Sequence, residues 1–404
     1  MTILIADRVD DSCAEVLRAA GHRVVSDANL KGQALVDALR ANWPTVLVVR
    51  STQVTAEHLD AVSSLELVVR SGAGTDTIDV EGASQRGIFV ANCPGQNAIA
   101  VAELTMALML SLDRRVPDNV ITARAGKWNK ADFASSANSR GLKGRTLGLI
   151  GFGHIAQAVA ARAQAFGMDI AVWSRSLTDE AAAESGVMRL ASPVDVAEVS
   201  DIVSVHVAAT PATHGLIDAP FFEAMRPGAL FINTSRGSVV EEDALIDVLD
   251  SGKIRAGLDV FNGEPASKKG KLDTPLAKRP DVYLTHHIGA STRQASEAIA
   301  TETARVVLDY AETGRVSNAV NLAVLTSADH LLTVRHHDRV GVLAGVLDVV
   351  RQAGWNVEEM ENLIFAGGAA ACARIRYAGT ADPDVIERIN ELPDVIAATA
   401  IPVS

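Results

Sequence analysis

Short runs of aliphatic and β-branched residues recur along the chain, separated by longer Ala/Leu-rich stretches. The runs fall at residues 46–49, 67–69, 146–150, 170–173, 202–205, 230–232 and 283–285. Each is largely apolar rather than alternating, as expected of strands buried on both faces of a parallel sheet. Strands alternating with helices predict an α/β protein with two doubly wound, Rossmann-like parallel sheets. Pro94-Gly95 and Gly289–Thr292 punctuate the pattern ahead of two long helices, expected over residues 97–112 and from the Gly289 turn to about residue 312. After residue 330 the order changes to strand (331–335), helix (340–353), two strands (355–364, 370–377), helix (383–391) and strand (395–402). That βαββαβ order predicts a small separate domain, and the polar, small-residue stretch 318–330 reads as a linker to it.

Composition narrows the function. A chain of 404 residues has room for two or three domains. A formal charge of −12 argues against nucleic acid and anionic membrane as partners. The longest apolar stretch, 98–112, is interrupted by Glu103 and reads as a buried helix, not a membrane span. Cys13, Cys93 and Cys372 are sparse and far apart, which suits neither a disulfide framework nor a zinc site, so no metal is expected. The N-terminus lacks a basic segment followed by a long apolar one, so a cytoplasmic location is expected.

Gly151-Phe152-Gly153-His154-Ile155-Ala156 follows the run 146–150 and precedes a helix expected over 157–166. In a G-x-G-x-x-A turn between strand and helix, Gly151 permits the bend and Gly153 admits a pyrophosphate close to the backbone. Ala156 lets helix and strand pack, and the helix N-terminus favours an anion. The next strand ends in Trp173-Ser174-Arg175, where an NAD site usually carries an acid. Without that carboxylate, Ser174 and Arg175 suit a 2′-phosphate, which favours NADP(H) and leaves NAD open.

Arg236, Glu264 and His287 each sit just beyond a strand or turn. Taking a hydride from a 2-hydroxy acid needs a base for the hydroxyl proton, a cation for the carboxylate and a group that holds the base; His, Arg and Glu supply these. A Glu–His pair raises the histidine pKa. Arg50 and Arg70 end two N-terminal runs and would open onto one crevice, suiting a second anionic group such as phosphate. The amides of Gly72 to Gly74 would face the carboxylate. The alternative is that both arginines pair with Asp76 or Glu66.

Residues 1–322 resemble the D-isomer-specific 2-hydroxyacid dehydrogenase family. The resemblance rests on Gly151-x-Gly153, Thr234-Ser235-Arg236-Gly237, Gly257-Leu258-Asp259-Val260-Phe261 and His287-Ile288-Gly289-Ala290-Ser291-Thr292. It implies Arg236 as substrate anchor, Glu264 as partner of His287, and His287 as acid/base. It also implies Asp259 beside the nicotinamide, with Phe152, His154, Ile155, Ser235 and Gly289 in the cofactor site. The implied substrate domain is discontinuous, 1–94 with 288–322, around a dinucleotide domain at 95–287. His286 stands where the family usually has proline, which sets two imidazoles side by side; the spacing to Gly289 favours His287. Residues 48–79 are similar to the branch that oxidises 3-phosphoglycerate at the start of serine synthesis, with Arg50, Arg70, Ser71, Gly72 and Ala73 as substrate contacts. An NADPH-dependent glyoxylate or hydroxypyruvate reductase, and a non-catalytic NAD(H)-sensing co-repressor-like scaffold, are the alternatives.

Residues 331–404 resemble an ACT domain through His336–Leu343 and Ala353–Asn356, with Val340 where proline is usual. The resemblance implies His336, Asp338 and Asn356 as contacts for an amino-acid effector such as serine, and a homodimer or homotetramer. The alternative is a module that serves oligomerisation alone.

Overall fold

A computed structural model describes residues 1–134, 139–265, 270–323 and 327–403. The chain divides into two units, Met1–Asn321 and Leu322–Ser404.

In the first unit, β1 (Thr2–Ile5), β2 (Arg23–Ser26), β3 (Val46–Val49), β4 (Leu67–Arg70) and β5 (Phe89–Ala91) form a parallel sheet in the order β2-β1-β3-β4-β5. The strand order reverses between β1 and β3, so the crevice opens at their carboxyl ends. Every side chain of β3 is buried, as its unbroken apolar run requires. The helix Arg293–Thr313 returns from much later in the chain to cover one face, packing Ala300, Ala304 and Val307 with Leu17, Val48 and Val69.

The second sheet of this unit is also parallel. It contains β6 (Thr146–Ile150), β7 (Asp169–Trp173), β8 (Met188–Arg189), β9 (Ile202–Val205), β10 (Ala229–Asn233), β11 (Ile254–Leu258) and β12 (Val282–Leu284). Its order is β12-β11-β10-β9-β6-β7-β8, with the reversal between β6 and β9. The buried helix Ala98–Arg114 packs against it through Met106, Leu108, Met109 and Leu112. The chain therefore crosses between the two sheets twice, once after β5 and once after β12.

The second unit is βαββαβ: β13 (His330–His337), helix Val342–Gln352, β14 (Asn356–Ile364), β15 (Ala370–Ala378), helix Pro383–Asn390 and β16 (Val395–Pro402). Its sheet is antiparallel in the order β14-β15-β13-β16, over a core that includes Leu332, Val334, Val346, Ile375 and Tyr377.

Two expectations need revision. The helix expected from 157 begins at His154, because extended Gly153 is already its N-cap. Residues 318–321 are not linker: Val320 N donates to Val90 O (2.8 Å) and Asn321 Oδ1 accepts from Val90 N (2.9 Å). The unpaired backbone of edge strand β5 holds this segment to the sheet. Residues 324–326 of the expected linker lie outside the described residues. Among the described residues no helix is long and apolar enough to cross a membrane.

Candidate active site

The glycine turn lies where the second sheet reverses. Gly151 has φ +95°, and a Cβ there would fall 2.6 Å from His206 O, so only glycine fits. Gly153 is open: nothing lies within 4 Å of the place its Cβ would take. The helix His154–Ala165 that follows has no side-chain cap, so its first amides face that space. A bare cradle above uncapped amides fits the pyrophosphate of a dinucleotide. Ala156 is fully buried against the sheet, while Phe152 and Ile155 are half-buried and His154 is exposed. The His154 ring lies 3.5 Å from the Cβ position of Gly95. Ser174 and Arg175 lie beyond β7, half-buried and exposed, and neither side chain bonds another among the described residues. His206, which no sequence pattern singles out, follows β9 beside this turn. Burial pushes its pKa down to about 3. Its Nε2 meets Ser204 Oγ at 2.9 Å, and its Nδ1 is buried without a partner.

His287 stands on a turn that Asp259 organises. Asp259 is 1% exposed. Its Oδ1 accepts from Thr285 Oγ1 (2.6 Å) and Ile288 N (2.9 Å), its Oδ2 from Gly289 N (2.8 Å), and its carbonyl from His287 N (3.0 Å). These four bonds hold His287 at φ +51°, a left-handed backbone that a non-glycine residue adopts at a cost. His287 Nδ1 meets Glu264 Oε2 at 2.8 Å, and Glu264 Oε1 accepts from Phe261 N at 3.2 Å. The Glu264 bond raises the His287 pKa; burial and the Arg236 charge act the other way and do not cancel it. His286 makes no such bond among the described residues. The two imidazoles are thus distinguished: only His287 is held by a carboxylate.

Three arginines face the same crevice. Asp7, at the end of β1, accepts from the amides of Arg50, Ser51 and Thr52 (2.7–2.8 Å) and so fixes the loop that carries Arg50. Arg70 folds back over Gly72, where a Cβ would overlap its Nη1. Burial lowers the Arg70 pKa, and the neighbouring charges of Arg236 and Arg50 lower it further. Arg236 Nη1 donates to Ser235 O (2.7 Å) and Nη2 to Asp76 Oδ1 (3.2 Å). Nε of Arg70 and Nε of Arg236 are both buried and without a partner. Asp76 is paired with Arg236, and Glu66 accepts from the Tyr310 hydroxyl, so neither carboxylate is ion-paired with Arg50 or Arg70.

Several expected contacts point elsewhere. Ser71 is 1% exposed, its hydroxyl accepts from Thr303 Oγ1 (3.1 Å), and its amide donates to Val49 O (2.7 Å). The Gly72 amide donates to Arg70 O (2.8 Å). Of this loop, the amides of Ala73 and Gly74 have no protein acceptor among the described residues. Ser235 is buried and its hydroxyl donates to Asn233 Oδ1 (2.8 Å). Gly289 is buried behind its bond to Asp259. In the second unit His336 is 1% exposed, with Nδ1 at 2.8 Å from His337 O and Nε2 at 3.2 Å from Asn362 Oδ1. Asp338 and Asn356 are exposed. His336 lies opposite Ala371 on β15 and Asn356 opposite Ala378, ~23 Å of strand apart, so one copy does not bring the three together.

Besides His206 at the glycine turn, two residues join the site that sequence reasoning does not place there, Asp7 and Asp76. Asp7 carries the same signal as Arg50 and Arg70, a charged residue after an apolar strand. Asp76 enters the sequence reading only as a partner for Arg50 or Arg70, and its partner is Arg236.

A glycine turn at the reversal point of one parallel sheet, with an imidazole–carboxylate pair and three arginines along the crevice shared with another, defines a dinucleotide-dependent acid–base site. Residues 106–289 match the NAD binding domain of D-isomer specific 2-hydroxyacid dehydrogenases, and the chain belongs to that family. This matched domain is a nicotinamide dinucleotide-binding one. The chain is 34% identical over 328 residues to D-3-phosphoglycerate dehydrogenase of Rattus norvegicus, covering 81% of this chain and 59% of the rat protein. It thus spans less than two thirds of that relative's length. The TT0316 protein of Thermus thermophilus superposes with a TM-score of 0.70 at 32% identity, covering 79% of this chain and all of that one. The NADPH-dependent glyoxylate/hydroxypyruvate reductase of Sinorhizobium meliloti, bound to NADP and malonate, gives 0.68 at 30% identity, covering 79% and 96%.

Proposed function

We propose that the chain is a D-3-phosphoglycerate dehydrogenase: it oxidises 3-phospho-D-glycerate at C2 to 3-phosphohydroxypyruvate. The observation that carries this reading is the pair of buried, unpartnered Nε donors on Arg70 and Arg236 beside the Glu264–His287 pair. A substrate with an anion at each end supplies acceptors for both. A bound nicotinamide supplies the hydride acceptor; the remaining work falls to the chain. Glu264 keeps the proton of neutral His287 on Nδ1, which leaves the Nε2 lone pair for the substrate hydroxyl. As Nε2 takes that proton, the Glu264 carboxylate stabilises the imidazolium, and the same pair returns the proton in the reductive direction. Arg236 holds the carboxylate and the developing carbonyl. Arg50 and Arg70 take the phosphate, which an unphosphorylated hydroxy acid does not offer.

In this reading 1–94 with 288–322 is the substrate domain, 95–287 the dinucleotide domain and 331–404 an ACT domain. Exposed Asp338 and Asn356 are its candidate effector contacts, and its pairing makes a homo-oligomer. Ser174 and Arg175 in place of an acid support NADP(H) over NAD. Three free cysteines fit a reducing cytoplasm. The NADPH-dependent reductase reading is favoured by Ser174-Arg175 and by the likeness to the Sinorhizobium meliloti reductase, but offers no use for Arg50 and Arg70. Initial rates with 3-phosphoglycerate, glycerate, 2-oxoglutarate and glyoxylate, each with both cofactors, test the proposal. The expected result is a preference for 3-phosphoglycerate; turnover confined to glyoxylate would refute it.

A further inference from the structure

Asp76 lies on the loop after β4, in the five-stranded half of the crevice, and Arg236 follows β10 in the seven-stranded half. Their 3.2 Å ion pair therefore spans the crevice. Gly74 makes the contact sterically accessible: a Cβ there would overlap Arg236 Nη2 and lie 2.6 Å from Asp76 Oδ1. Nε and Nη2 form one edge of a guanidinium, the edge that receives a carboxylate through two parallel bonds. On Arg236 that edge is half used. Nη2 is on Asp76, while Nε is buried and bare.

We infer that Asp76 is a specificity-determining residue: an internal carboxylate that occupies half of the Arg236 fork and admits only an anion able to displace it. This deepens the proposed function and rests on Arg236 being the carboxylate anchor. Arg70 is the other charge acting on Asp76, and on the far side the Arg236 charge is felt by His287, which Glu264 holds. Burial works against the Asp76 charge, and Arg236 and Arg70 more than offset it, so its pKa stays below the usual carboxylate range. Asp76 thus remains ionised and competitive at neutral pH. At 56% exposure of its side chain the pair is weak enough to be exchanged. An anion offering one weak contact gains little by displacing Asp76. One that engages Arg236 through a carboxylate and also reaches Arg50 and Arg70 recovers more than it displaces.

The test is anion binding by the full chain, read by titration calorimetry with malonate and with inorganic phosphate, for wild type and Asp76→Asn. Asp76 is exposed, so the variant is expected to fold, and its melting temperature checks this. Asp76→Asn is expected to bind malonate about three- to tenfold tighter, since the lost competitor is a half-exposed ion pair. It is also expected to lower the preference for 3-phosphoglycerate over glycerate in kcat/KM. Unchanged or weaker malonate binding would overturn the inference and make Asp76 a support for Arg236 instead. Asp76→Ala, which leaves no polar group in that place, should bind malonate as Asp76→Asn does; a return to wild-type affinity would count against competition. If the chain turned over no 2-hydroxy acid but Asp76→Asn still gained malonate affinity, the function would fall and this inference would stand.

Discussion

His287 Nδ1 lies 2.8 Å from Glu264 Oε2, and the bond fixes which ring nitrogen is left to react. It also raises the pKa of the imidazole, so the neutral base forms at a higher pH than for an ordinary histidine. Oxidation of 3-phosphoglycerate is expected to rise with pH through that raised value. Glu264→Gln should move the rise to lower pH, and pH profiles of kcat/KM for both proteins check this. His287→Ala should lower kcat by about 10²–10⁴ with dinucleotide affinity preserved, read by fluorescence titration. For stability the sign is fixed as well. A folded pKa above the unfolded one makes the pair's contribution complete below the ordinary histidine pKa and lost as pH rises through the raised value.

Arg70→Ala should raise KM for 3-phosphoglycerate about ten- to hundredfold, the weight of one or two charge-assisted bonds. KM for glycerate should change little. Gly72→Ala should produce the same pattern less directly, because the new methyl displaces the Arg70 guanidinium. It should also lower stability by about 1–3 kcal/mol, since φ +148° suits few residues other than glycine. Steady-state kinetics and thermal unfolding separate the two effects.

Asp259→Asn keeps the shape of the side chain but turns an amide nitrogen towards the donors at 285, 288 and 289. One or more of those donors must lose its acceptor. A loss of about 1–3 kcal/mol in stability is expected. A fall in kcat should accompany it as the His287 turn relaxes out of its left-handed conformation. A kcat at the wild-type level in a destabilised variant would show that the turn holds without Asp259.

Arg175→Ala should weaken NADP(H) and leave NAD(H) nearly unchanged. The loss should shrink at high salt, because Arg175 is exposed and its attraction for a phosphate is screened. Dissociation constants for both cofactors at two ionic strengths decide it.

Much of the fold is legible in the chain. Unbroken apolar runs locate β3, β4, β6, β7, β9 and β10, because a strand buried on both faces has no polar positions to obscure it. The same rule hides β2 and β8. β2 (Arg23–Ser26) is half-exposed, and β8 is only two residues long. The helix Val116–Arg124 has no buried residue: its apolar side chains Val116, Val120 and Ile121 are all exposed, so no core face marks it. At the site, Arg236, Glu264 and His287 are readable because each follows a strand or turn that opens on the crevice. The fate of hydroxyls and amides is not. Whether Ser71 faces substrate or Thr303 depends on a helix that begins more than two hundred residues later. Asp76 can be paired on paper with any nearby arginine; its actual partner lies across the crevice on another sheet.

The chain passes between its two parallel sheets twice, after β5 and again after β12. A protease that nicks one passage leaves the other intact, so a singly cut chain should still migrate as one particle under native conditions. Separating the halves takes two cuts. A chain truncated at the first passage would lose the helix Arg293–Thr313 and leave the Leu17, Val48 and Val69 face open to water.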